Sequence, residues 1–232
     1  LSALLKPPHF RSVLFHYAAG GLRLPPQLLS PFLFKTGTAP YFDNVSSSAW
    51  FLAQLAAAKS YLEYGSGGTT FVAAQLKKPF FSKESDLRFC RSVTQSIAAA
   101  GLSAPEQNLV HADIGPTENW GYPGGFRRPN SKRLAQFDAY SDFPEMEVAP
   151  DLVLIDGRFR VACFLKAIRA LDGARDYTII VDDYVDRPHY HCIEQFVPKA
   201  QMVGRMAVFK PTPITDLDAL ERQLDAYRYD PR

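Results

Sequence analysis

Ser60 to Lys78 reads SYLEYGSGGTTFVAAQLKK. The spacing predicts a strand over Ser60–Tyr64, a turn of three glycines, and a helix from Thr69 that ends at Lys77 and Lys78, where cations suit the helix dipole and Pro79 stops the chain. Glycines at Gly65, Gly67 and Gly68 let the backbone turn tightly and bring its N–H groups close to a ligand with no Cβ in the way. Glu63 sets the sign of that ligand. A phosphate beside this carboxylate would be repelled, whereas a ligand with an ammonium and a sulfonium and no phosphate fits both the glycines and the acid.

Strands and helices alternate outward from this unit. A helix over Ser46–Lys59 precedes it. Pro79–Lys83 is the next strand, and Ser85 caps a helix through Ala100 in which Phe89, Cys90, Val93 and Ile97 share a face. Asn108–Ala112 is a third strand, and the apolar run Asp151–Ile155 (DLVLI) suits a strand covered on both faces. Val161, Phe164, Leu165, Ile168 and Leu171 form a helical stripe closed by Gly173, and Tyr177–Val181 (YTIIV) is the fifth strand. A helix starts at Pro188 and stops before Pro198. A hairpin turning near Gly204 and Arg205 pairs Gln201–Met202 with Ala207–Phe209, and a last helix starts at Thr215. Parallel neighbours need crossover helices, so the expected fold is a doubly wound α/β, mostly parallel, seven-stranded sheet with helices on both faces. Residues 1–43 form a proline-rich lead-in with an apolar helix over Phe10–Ala19 packed on the protein's own core. Residues 44–232 form a single domain with a long 114–150 insertion.

Composition narrows the function. The chain has 232 residues, 47% hydrophobic and 22% charged, enough to bury a core and too apolar for disorder. With 26 Lys+Arg against 24 Asp+Glu the net charge is +2, which argues against general nucleic-acid binding. Cys90, Cys163 and Cys192 are too few and too scattered for a disulfide framework or a thiolate metal site, so they read as reduced thiols of a cytoplasmic protein. No apolar run approaches the roughly 18 to 20 residues of a transmembrane span. The sequence leaves the oligomeric state open, a homo-oligomer included.

In such sheets ligands sit beyond the carboxyl ends of the strands. After the first strand stand Glu63, Gly65, Ser66 and Gly67. After the second stands Glu84, 19 residues beyond Gly65, a spacing at which an acid accepts hydrogen bonds from ribose hydroxyls. After the third, Asp113 is set to receive an adenine amino group, with Ile114 against the ring. Asp156 follows the fourth strand, and Asp182 and Asp183 the fifth. Three carboxylates at one sheet edge suit magnesium through oxygen ligands, or one of them serves as a base. His189, in the first turn of the Pro188 helix, is a second candidate base. The insertion interleaves Trp120, Tyr122, Phe126, Phe137, Tyr140 and Phe143 with Arg127, Arg128, Lys132 and Arg133, which suits a lid over a flat, glycan-like or anionic small-molecule acceptor.

Glu63–Gly68, Glu84, Asp113 and Asp156, each at the end of a successive strand, resemble the class I S-adenosylmethionine-dependent methyltransferases over roughly residues 50–210. Within that superfamily DLVLIDG (151–157) and IIVDDY (179–184) are similar to the catechol-type and macrolide-sugar O-methyltransferases. The resemblance implies S-adenosylmethionine as cofactor and a magnesium ion on Asp156, Asp182 and Asp183. The residues themselves offer Asp156, Asp183 and His189 as the catalytic candidates, with Trp120 and Arg158 toward the acceptor. The pattern departs at Thr69, where the superfamily places a glycine, and at Arg158 and Arg160, which follow Asp156 where metal-dependent relatives more often carry an acid, His or Lys. Two alternatives stay open: a methyltransferase-like domain that binds a nucleoside without transfer activity, and a nicotinamide-dependent oxidoreductase.

Overall fold

The strand β4, Leu152–Ile155, is LVLI with every residue buried, the composition of a strand that is covered on both sides. In the computed structural model, which describes residues 40, 42–125, 129–174 and 176–232, this strand lies at the centre of a seven-stranded sheet. The lead-in helix over residues 10–19, and Phe126, Arg127 and Arg128, lie outside the described residues. The other strands are β1 (Tyr61–Tyr64), β2 (Phe80–Glu84), β3 (Gln107–His111), β5 (Thr178–Val181), β6 (Lys199–Val203) and β7 (Met206–Phe209). Their order is β3-β2-β1-β4-β5-β7-β6, parallel from β3 to β5, with β7 antiparallel to both β5 and β6. The hairpin expected near Gly204 is therefore β6–β7.

Period-two alternation divides the core between the two faces. Leu62, Tyr64, Val153, Ile155, Ile179 and Val181 pack on one side, beneath the helices Arg160–Ala170 and Leu217–Tyr227. Tyr61, Phe80, Leu152, Leu154 and Ile180 pack on the other, beneath the helices Val45–Ala57, Gly68–Gln75 and Leu87–Ala99. Three expectations shift locally. Asp86, not Ser85, caps Leu87–Ala99, accepting from Phe89 N at 2.9 Å. Asp216, not Thr215, caps the last helix. The Pro188 segment is a 3-10 helix, Pro188–Gln195.

The insertion carries its own helix, Ser131–Ser141, capped by Asn130. Two buried lysines fasten its end to the body. Lys83 Nζ donates to the carbonyls of Tyr140 (3.2 Å) and Asp142 (2.5 Å), and Lys166 Nζ lies 2.7 Å from both Asp138 Oδ1 and Asp142 Oδ1. Buried amines are tolerated only when so paired. No described helix is long and apolar enough to cross a membrane.

The turn after β1 and the turn after β4 meet backbone to backbone. A Cβ on Gly65, whose φ is +98°, would lie 2.7 Å from Gly157 Cα, and one on Gly157 would fall on the buried Tyr140 hydroxyl. Overpacking of this kind costs roughly 1–3 kcal/mol. Gly157→Ala is expected to lower the midpoint of urea unfolding accordingly, while Gly67→Ala, whose Cβ would meet only the Phe89 ring at 4.0 Å, changes it much less.

Candidate active site

The crevice beyond the strand ends has a volume of about 1540 Å³. Gly65, Ser66 and Glu84 line one end, Trp120 and Tyr122 of the insertion overhang it, and Asp156, Arg158 and Asp183 line the other. Its wall also includes Asp86, Arg88 and Phe89 at the start of the helix after β2 and Arg187 and Arg205 of the far side.

Glu63 lies behind this wall, fully buried on the face shared with Tyr61. Its carboxyl accepts from the hydroxyls of Thr69, Thr70 (2.5 Å) and Ser82 (3.0 Å), the last being its register partner on β2. Burial pushes its pKa up to about 7, against the pull of those hydroxyls. Thr69, standing where a glycine was expected, is thus a partner of the acid. The side chain buttresses the turn from beneath and does not line the crevice.

Glu84 does line it. Its Oε2 accepts from Ser66 N and Ser66 Oγ, both at 3.0 Å, and its Oε1 from Asp86 N at 2.8 Å. The Ser85 hydroxyl is 3.4 Å from Oε1 but has the Gly121 carbonyl nearer, at 3.1 Å, so Oε1 keeps capacity for another donor. Gly67 sits one residue behind the crevice wall, its N–H given to Thr70 Oγ1 at 2.9 Å.

The structure does not bring Asp113 or His189 to the crevice. Asp113 is exposed and holds the insertion, accepting from Gly115 N and from Gln136 Nε2, each at 2.8 Å. One residue later Ile114 is fully buried, and the chain turns into the insertion there. His189 packs edge-on to Tyr190, centroids 4.5 Å apart, with its Nε2 enclosed and unpartnered. Burial and the nearby Arg232 lower its pKa.

Asp156, Asp182 and Asp183 do come together, with one oxygen of each within 4.8 Å of the others. Every one of them is already held by a guanidinium. Arg160 Nη2 is 3.0 Å from Asp156 Oδ1 and 3.3 Å from Asp183 Oδ2. Arg205 Nη2 is 2.6 Å from Asp182 Oδ2, with its Nε 3.2 Å from Asp183 Oδ1, and Arg187 Nη2 is 3.1 Å from Asp183 Oδ2. Three carboxylates facing three guanidinium groups balance in formal charge, and a divalent cation there would have to displace the buried Arg160 and break the pairs with Arg187 and Arg205, so this donor set does not fit magnesium. Asp182 is inaccessible, while the Asp156 side chain is 39% exposed and opens to the crevice. Desolvation raises the Asp156 carboxyl above the usual carboxylate range, Arg160 pulls it down, and the neighbouring Asp182 and Asp183 push it up.

Arg205 carried no signal in the sequence beyond its place beside a hairpin glycine, and Arg88 and Phe89 carried none. Phe89 had the spacing of a core residue, yet it is 48% exposed and stands on the crevice wall.

The chain is similar to a methyltransferase-like protein from Silicibacter pomeroyi, with 33% sequence identity and a TM-score of 0.70 over 84% of this chain and 100% of that one. It belongs to that methyltransferase-like family, and its fold is that of the class I S-adenosylmethionine-dependent methyltransferases. Cofactor-bound Rv0187 from MTB (18% identity, TM-score 0.55, 90% of this chain and 99% of that one) shares the fold. So does the SAH-bound methyltransferase PaMTH1 of Podospora anserina (11% identity, TM-score 0.50, 89% and 97%). No family model matches the chain, and neither does any curated protein.

The position of Glu63 has a consequence for pH dependence. Its folded pKa, about 7, lies above the ordinary carboxylate value of 4.5, so the folded state holds a proton that the unfolded state releases between those limits. Its contribution is fullest below pH 4.5 and falls as pH rises to 7, by on the order of 3 kcal/mol. Glu63→Gln is expected to remove this slope, so that the variant gains on the wild type between about pH 4.5 and about pH 7 in urea unfolding, the window set by the two pKa values.

Proposed function

We propose that the protein is an S-adenosylmethionine-dependent methyltransferase acting on an oxygen of a small-molecule acceptor. The observation that carries this reading is the single crevice that joins the glycine turn and Glu84 to Asp156 and the insertion's Trp120 and Tyr122. One cavity thus offers a nucleoside end and an acceptor end.

The residues fit the cofactor. Oε1 of Glu84 has room to accept from ribose hydroxyls, and Gly65 and Ser66 present a wall with little side chain. The cofactor would supply a methyl group on an electron-poor sulfonium carbon. The work left to the chain is to align the acceptor oxygen, keep water out and take its proton. Trp120 and Tyr122 are positioned to flank a flat acceptor. Asp156, the member of the aspartate trio that combines exposure to the crevice with a raised pKa, is the proton acceptor in this reading. Asp183, at φ +55°, positions Arg160 and Arg187 about it. The reading places no metal here, because the arginines already neutralise the trio.

Calorimetric titration tests the cofactor half. S-adenosylhomocysteine is expected to bind and NAD not to bind. Glu84→Gln, which keeps one acceptor but loses the charge and a lone-pair site, is expected to weaken S-adenosylhomocysteine about tenfold or more. Binding of NAD alone overturns the proposal, and binding with no transfer across a panel of hydroxyl acceptors favours the nucleoside-binding alternative.

A second measurement addresses the cation. Methyl transfer is expected to be unchanged by EDTA, and Mg²⁺ titrated to about 5 mM, a concentration at which a built carboxylate site would be occupied, is expected to give no binding heat.

A further inference from the structure

We propose that the acceptor carries an oxyanion, a carboxylate or a phosphate, and that Arg158 receives it in the crevice. The inference rests on the methyltransferase reading only in calling this ligand the acceptor.

Arg158 follows Gly157 at the end of β4 and lines the crevice. Among the described residues no hydrogen bond or ion pair reaches its guanidinium, and its Nε is enclosed with no partner. The Tyr122 ring stands against it, with its centroid 5.9 Å from Cζ. The arginines around it are differently placed. Arg160 is bound by Asp156, Asp183 and the carbonyls of Gly157, Asp156 and Asp182. Arg187 is bound by Asp183, and Arg205 by Asp182 and Asp183. The three carboxylates of this corner are used up by three guanidinium groups. A fourth cation is left over.

A buried donor without an acceptor costs free energy, and a charged one more. Burial and the repulsion of Arg160 and Arg187 press on Arg158 in the same sense, lowering its pKa, although a guanidinium stays charged in proteins. The charge is therefore kept, and no described residue answers it. An arginine offers a flat fork of N–H groups matched to two oxygens of one carboxylate or phosphate. Such a ligand, entering the crevice, supplies what the corner lacks. The wall above it is flat: Tyr122 backs the guanidinium, and Trp120, held at φ +62° on the turn Asn119–Gly121, is 91% exposed at the mouth. A non-glycine residue in the left-handed region costs of order 1–3 kcal/mol and marks a position held by its surroundings. Together these describe a planar acceptor with an oxyanion at one end.

The test titrates benzoate, phenyl phosphate and the neutral benzamide into the wild type, Arg158→Gln and Arg158→Lys, each with and without saturating S-adenosylhomocysteine. The wild type is expected to bind one of the anions at least about tenfold more tightly than benzamide. Arg158→Gln is expected to erase that preference and Arg158→Lys to keep part of it, with thermal midpoints reporting that both variants fold. The tighter of the two anions assigns carboxylate or phosphate. Benzamide binding as well as both anions, wild-type anion affinity in Arg158→Gln, or no anion binding up to about 10 mM would each overturn the proposal. Failure of S-adenosylhomocysteine to bind the wild type would instead defeat the methyltransferase reading, and the anion comparison without it would still stand.

Discussion

The approach of Gly65 to Gly157 decides where anything can bind. These residues end β1 and β4, the adjacent parallel strands at which the strand order reverses, so the chain leaves them toward opposite faces of the sheet. The two turns can lie against each other only because neither carries a Cβ on the facing side. Once they do, the helix after β1 and the helix after β4 diverge above them, and the gap between the helices is the crevice. The Tyr140 hydroxyl closes the underside, accepting from Arg158 N at 3.3 Å. Tyr140 is held in turn by the insertion helix that Lys83 and Lys166 fasten to the sheet. The insertion is thus part of the floor as well as the rim.

Burial then gives different tasks to acids that look alike. Glu63 and Glu84 lie near the ends of adjacent strands, yet one is fully buried among hydroxyls and the other stands at the crevice wall with an oxygen to spare. Asp182 and Asp183 are neighbours in sequence, and the left-handed backbone at Asp183 sends their side chains into different surroundings. Asp182 has no solvent exposure and serves Arg205, whereas Asp183 is reached by three arginines. Removing one partner from such a set leaves a buried charge alone, which is why the cluster reads as a framework and not as a vacant metal site.

Much of this was legible beforehand, for reasons of period and punctuation. LVLI and TIIV have the composition of strands covered on both faces, Gly173 stands just past the helix Arg160–Ala170, and acids follow successive strands on the ligand side, whereas the helix before Pro79 ends at Gln75, short of the expected Lys77 and Lys78. What could not be read was which way each acid points. Glu63 and the helix Gly68–Gln75 are linked through Thr69 and Thr70, and that contact depends on how tightly the turn winds. Asp113 was assigned by counting strand ends, but the chain leaves β3 into the insertion and spends that carboxylate on Gly115 and Gln136. His189 does stand in the first turn of a helix, as its place after Pro188 predicts, but that helix is of the 3-10 kind and the ring packs against Tyr190 instead of facing the crevice. Arg205 comes from a hairpin that pairs across β5, a long-range contact with no local trace.

The turn after β1 also argues about the charge of its ligand more sharply than Glu63 alone did. A phosphate site at a helix start works by leaving backbone N–H groups unpaired and aimed at the anion. Here Gly65 N–H is given to the Lys83 carbonyl at 2.8 Å, Ser66 N–H to Glu84 and Gly67 N–H to Thr70 Oγ1. The turn has spent these donors internally, one of them on a carboxylate that a pyrophosphate would have to displace and then face. Around it stand Glu84, Asp86 and Glu118 with Arg88, while Arg158, whose guanidinium has no ion pair among the described residues, is at the other end. The crevice is therefore polarised along its length, acid at the glycine turn and guanidinium at the end of β4. A donor bearing positive charge and an acceptor bearing negative charge each find the end that suits them, and the reversed arrangement would set like against like at both.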